Sequence, residues 1–125
     1  MSNFVVKQRK LVDSLIKKTN ESDLKWELGL GGKSVFTNFP SGKVELKWDL
    51  DENGQDAVRV TLFDESGNDN LSFDDTALAY RNEFTEKIES YYSRMEELLN
   101  SAFIMARGED ALLDRFLSDL SESDW

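Results

Sequence analysis

Lys43-Val44-Glu45-Leu46-Lys47-Trp48-Asp49-Leu50 is the stretch that decides the fold. Charged and apolar residues alternate through all eight positions, so an extended chain has one apolar and one charged face. A helix would scatter Val44, Leu46, Trp48 and Leu50 around its circumference. Asp51-Glu52-Asn53-Gly54 follows as a hairpin turn signal, because Asn-Gly tolerates positive φ. Val58, Val60 and Leu62 then resume the alternation, which predicts a returning strand over 57–63.

Toward the N-terminus, Pro40-Ser41-Gly42 is a turn with Pro at its first corner, preceded by a strand over about 34–39. Gly29, Gly31 and Gly32 make a flexible link. Before them Leu24, Trp26 and Leu28 alternate with Lys25 and Glu27, a first strand. The sum is a four-stranded antiparallel meander over roughly 24–63. Ahead of it, Phe4, Gln8, Leu11, Val12, Leu15 and Ile16 lie at helical spacing, and Lys17 and Lys18 suit the negative end of that helix. Thr19 to Asp23 ends it.

Toward the C-terminus, Asp64-Glu65-Ser66-Gly67 turns again, and Leu71-Ser72-Phe73 reads as a short strand or a loop. From Thr76 the period becomes helical. Phe84, Ile88, Tyr91, Met95, Leu98, Ala102 and Met105 are spaced alternately four and three apart, with Tyr92, Leu99, Phe103 and Ala106 on a second flank. Asp74 or Asp75 suits the N-cap and Gly108 the position after the end. Glu109 to Leu120 reads as a short helix with Leu112, Leu113, Phe116, Leu117 and Leu120 inside, and 120–125 as a polar tail ending in Trp125. The expectation is one α+β domain over 1–125: an N-terminal helix, the meander, a long helix and a short C-terminal helix.

A helix from Thr76 to Ala106 would span roughly 46 Å, against about 20 Å for a strand. Nearly half of it would overhang the sheet. The final helix, through Leu113, Phe116 and Leu120, would cover part of that overhang. What remains near Tyr91, Met95 and Leu98 is expected as an exposed apolar stripe, an interface for a second copy or for a partner.

Composition narrows the function. The chain has 125 residues with eight Phe, three Trp and three Tyr, an aromatic content that disordered chains lack. It has no Cys and no His. Disulfides, thiol redox chemistry, Cys-based metal sites and nucleophile–His pairs are all excluded, which points to a protein that is not an enzyme. The net charge is −10. Residues 1–48 hold nine Lys/Arg against five Asp/Glu, and residues 49–125 hold six against twenty. That excess repels nucleic acid and anionic lipid and favours a protein partner with a basic surface. The first residues carry no apolar signal-peptide core and no run reaches the length of a membrane span, so a cytoplasmic location is expected.

Four motifs carry chemistry on paper. Asp49 to Gly54 matches the first half of a calcium loop, but the twelfth position, which needs a bidentate Glu, is Val60. Gly29-Leu30-Gly31-Gly32-Lys33-Ser34 resembles the end of a phosphate loop, yet the leading Gly is replaced by Glu27 and a strand follows. Lys25-Trp26, Lys33 to Phe36 and Lys47-Trp48 interleave charge and aromatics, but alternation puts Lys47 and Trp48 on opposite faces and Trp48 in the core. Asp64, Glu65, Asp69, Asp74 and Asp75 form an acidic cluster, read as a docking surface for a basic partner or as solvated loop. No cofactor and no metal is expected.

Leu11 to Thr19 followed by Leu24-Lys25-Trp26-Glu27 resembles the opening of a group of small uncharacterised bacterial and phage proteins, in which a Leu-rich helix ending in Thr leads into a Leu-x-Trp strand. That resemblance covers about the first quarter of the chain and carries no activity. In size, acidity and element order the chain is also similar to two functional classes: inhibitor or immunity proteins of bacterial and phage conflict systems, and small acidic dimeric secretion chaperones. A carboxylate-only hydrolase is a third reading.

Overall fold

The computed structural model describes residues 3–122, with every side chain among them except that of Asp110. Trp125 and the last residues of the expected tail lie outside them. In chain order the elements are α1 (Asn3–Asn20), β1 (Glu27–Leu28), β2 (Ser34–Phe39), β3 (Gly42–Leu50), β4 (Asp56–Phe63), β5 (Asp69–Asp74), β6 (Tyr80–Arg81), β7 (Ile88–Glu89), α2 (Tyr92–Ala106) and α3 (Glu109–Glu122). Short 3-10 turns precede β2 and follow β5. The protein is α+β, and β1 to β5 form one antiparallel sheet in sequential order.

The decisive hairpin forms in the expected register, with Val44 opposite Leu62, Leu46 opposite Val60 and Trp48 opposite Val58. At its tip Asp51 Oδ1 accepts the Asn53 and Gln55 N–H groups, and Gly54 takes a left-handed φ of 76°. Alternation places Val35, Leu46, Val60 and Phe73 side by side across four strands, all buried. The opposite face is polar. There Arg59 reaches Asp49 at 2.6 Å and Asp74 at 3.4 Å, and Lys43 sits between the Phe36 and Phe63 rings.

Helix α2 lies on the apolar face, burying Met95, Leu98, Leu99, Ala102 and Phe103. Helix α1 packs beside α2 through Val12 and Leu15. Thr19 closes α1 chemically: its hydroxyl accepts the buried Trp26 indole N–H at 3.0 Å. Tyr91 joins the same two helices by donating to Asp13 at 3.2 Å. Its hydroxyl is held above the ordinary value, chiefly by burial and then by the Asp13 charge.

Several expectations need correction. The sheet has five strands rather than four. The first is only Glu27–Leu28, and Asp69–Asp74 is a full edge strand. The long helix is not one helix: Asp75–Leu78 is a 3-10 turn, and Tyr80–Glu89 is a small hairpin pairing Tyr80 with Glu89. Local hydrogen bonding breaks the helical pattern. Asn82 Oδ1 accepts the Phe84 and Thr85 N–H groups, Glu86 sits at φ 60°, and Ser90 Oγ accepts the Tyr92 N–H where α2 begins. Phe84 and Ile88 therefore belong to the hairpin and are exposed. Trp48 has the expected face but lies near the end of its strand, 40% exposed and tilted against Tyr92.

Candidate functional site

The five acidic residues expected to act together are divided between the two ends of the sheet. Asp64, Glu65 and Asp69 lie where β4 turns into β5. Asp74 and Asp75 lie at the far end of β5, about 17 Å away at strand rise. Three of the five, Asp64, Asp74 and Asp75, serve the fold. Asp64 accepts the Ser66 and Asn68 N–H groups and the Asn70 amide, and the Asn70 and Asn68 contacts lead in holding its carboxyl below the ordinary value. Asp74 accepts from the Thr76 N–H and hydroxyl and pairs with Arg59. Asp75 is buried and accepts the Val58 N–H at 2.8 Å. Burial pushes its carboxyl up, partly opposed by that hydrogen bond. Glu65 and Asp69 are exposed.

The calcium-like residues are likewise engaged. Asp49 is held low by the Leu50 N–H and then by the Arg59 guanidinium, and Asp51 serves its own turn. Among the described residues no group of three or more carboxylates is placed to hold a metal ion. No helix among them is long and apolar enough to cross a membrane.

Tyr91, Met95 and Leu98, expected as an exposed apolar stripe, are all buried. With no continuous long helix there is no overhang. The sheet face and α1 consume this flank of α2, so these three residues belong to the protein's own core and not to its surface.

The uncovered apolar surface lies elsewhere, on α3. Sequence reasoning placed Leu112, Leu113, Phe116, Leu117 and Leu120 inside. In the structure they are between 46% and 62% exposed. Leu113, Phe116, Leu117 and Leu120 follow the i, i+3, i+4, i+7 rule and Leu112 flanks them, so they make one continuous stripe facing solvent. The reason lies in the joint. Arg107 N–H donates to Phe103, Gly108 N–H to Met105 and Leu112 N–H to Gly108, so the two helices are joined with almost no free chain. Gly108 takes a φ of 71°, which ends α2 and sends α3 away from the domain. Among the described residues α3 packs on no element but α2 to more than a slight extent.

Two shallow depressions flank the last turn of α2. One, of about 590 Å³, is lined by Trp48, Phe103, Ile104, Lys33 and Arg107 among others. The other, of about 630 Å³, is lined by Leu24, Leu28, Met105, Lys25 and Arg107 among others. The first combines an apolar floor with basic edges, and the second sets Glu27 beside Lys25 and Arg107, whereas α3 carries five acidic residues against the single Arg115. The stripe itself was legible in the sequence. The depressions were not, since each brings together residues far apart in the sequence. No protein-family model matches this chain, and no curated protein and no solved structure matches it either.

Proposed function

We propose that this protein is a non-enzymatic protein-binding domain with α3 as its binding element. It would act in the cytoplasm as an inhibitor, immunity or regulatory protein of a bacterial or phage conflict system, by occluding a partner protein. The observation that carries the reading is the solvent-facing stripe Leu112, Leu113, Phe116, Leu117 and Leu120. An amphipathic helix held clear of its own domain is the form in which helix-in-groove recognition is presented. Burying the exposed remainder of five large apolar side chains is worth on the order of 4–9 kcal/mol before the cost of association. The acidic residues on α3 select a partner whose groove has a basic rim. The lack of Cys fits a reducing compartment.

Asp75, the buried carboxylate of the acidic cluster, is not free for hydrolytic chemistry. A two-carboxylate hydrolase needs its pair free in a cavity roughly 5–9.5 Å apart, and Asp75 is committed to the Val58 N–H. The test is affinity capture from the native host's lysate with the wild type and with Leu113→Glu/Phe116→Glu. At least one protein other than this chain itself should be retained by the wild type and lost with the variant, while circular dichroism of the two is the same. Identical retained sets would overturn the reading.

A further inference from the structure

We propose that α3 is received by the groove between α2 and Trp48 on a second copy of this chain, so that two copies exchange their C-terminal helices. This rests on the reading of α3 as a docking element and names an occupant for it.

The first argument is charge. Helix α3 has five acidic residues and one basic one, and two such helices laid against each other would repel. The groove beside Trp48 has the opposite character, with Lys33 on one rim and Arg107 on the other. Arg107 already stacks on Phe103 and holds Glu109 of its own chain at 3.7 Å, both partners about half exposed. An acidic helix laid along this rim extends a pairing that the groove already makes.

The second argument is apolar fit. Trp48 and Ile104 stand 40% and 43% exposed on the groove floor, and its volume of about 590 Å³ accommodates two or three Leu- or Phe-sized side chains of the α3 stripe. The third is geometry. The junction at Gly108 leaves almost no free chain, and its hydrogen bonds carry α3 outward from the rim of its own groove. The helix cannot turn back into that groove without breaking them. The groove of another molecule has no such restriction, and a two-fold axis lets each copy give a helix and receive one.

A symmetric pair makes this contact twice, which doubles the area that either contact alone would bury. The two contacts form together, so losing either surface weakens both.

The experiment is size-exclusion chromatography with light scattering from about 1 to 200 µM, on the full chain and three variants. Leu113→Glu/Phe116→Glu spoils the helix, Lys33→Glu/Ile104→Glu spoils the groove, and Lys33→Glu alone is a milder groove variant. All the altered side chains are exposed, and circular dichroism checks that each variant folds. The wild type should reach twice the chain mass, and each double variant should lose at least tenfold in dimer affinity. Lys33→Glu alone should weaken the dimer less, with a smaller dependence on salt than the wild type. An equimolar mixture of the two double variants should regain part of the lost dimer affinity, because the helix of the groove variant meets the intact groove of the helix variant and one of the two contacts is restored. A wild type that stays monomeric throughout would overturn the exchange and leave the lysate test of α3 standing. Groove variants that dimerise as the wild type does would also overturn it, since α3 would then be docking elsewhere.

Discussion

Replacing Asp75 by Ala and by Asn separates what this buried carboxylate contributes from what it costs. The residue is 4% exposed and accepts the Val58 N–H at 2.8 Å. Alanine deletes the acceptor and leaves that N–H unpaired in β4, a loss of about 1–3 kcal/mol. For a domain of this length, about 1 kcal/mol moves Tm by roughly 3–5 °C, so Tm should fall by up to about 15 °C, and by less at pH 7 than at pH 4 because alanine also sheds the buried charge. Asparagine keeps an acceptor oxygen and sheds the charge. Burial raises the Asp75 carboxyl above its ordinary value, and the charges of Asp74 and Asp51 act the same way. A group that holds its proton more tightly when folded stabilises fully below its unfolded pKa of about 3.9 and loses that contribution as pH rises through the folded pKa. The wild type therefore carries an ionisation penalty at pH 7 that Asp75→Asn lacks. Asp75→Asn should melt at or above the wild type at pH 7, with an advantage that shrinks as pH is lowered to 4. Scanning calorimetry at pH 4, 5.5 and 7 measures both effects. Equal melting of the Ala and Asn variants would refute the acceptor role, and an Asn advantage independent of pH would refute the penalty.

Two further predictions concern the frame that holds α3. Thr19→Val leaves the buried Trp26 indole N–H without its acceptor and should cost about 1–3 kcal/mol in urea unfolding, but distinctly less on a Trp26→Phe background. Gly42→Ala puts a Cβ onto the Phe63 carbonyl oxygen at a φ of 141° and should cost about 2–3 kcal/mol. Gly54→Ala, at a φ of 76° with open space around it, should cost about 1–2 kcal/mol. Reversal of that order would refute the close approach at Gly42.

The hairpin of β3 and β4 was legible because its alternation is unbroken and its turn contains Asn-Gly, two signals that depend only on neighbours in sequence. Strand β5 was half-hidden, since Leu71 and Phe73 are its only apolar residues and four polar ones surround them. The long helix was misread because Phe84 and Ile88 fall in phase with Tyr91 and Met95 by spacing alone. The opposing signals were the Asx turn at Asn82 and the serine cap at Ser90. Periodicity does not reveal such breaks, because a side chain that accepts a backbone N–H overrides propensity locally. The α3 stripe was visible, and its exposure was not: whether a stripe is covered depends on which neighbouring faces are already filled. Here Met95, Leu98 and Leu99 had been claimed by the sheet and α1.

The link between α1 and α2 sets the timing of folding during synthesis. Every strand of the main sheet pairs with its neighbour in sequence, so the meander zips through short loops as it emerges. Helix α1 is made before all of it, yet its packing partner α2 is made after. Asp13 and the Tyr91 that closes onto it are 78 residues apart. At roughly 5–20 residues per second, Asp13 waits about 4–16 s for Tyr91 to be made. For that interval the apolar side of α1, with Val12 and Leu15 at its centre, has no α2 to cover it. A ribosome that pauses between β5 and α2 lengthens the exposure, and the nascent chain is then most open to chaperones and to aggregation before its last third has been translated.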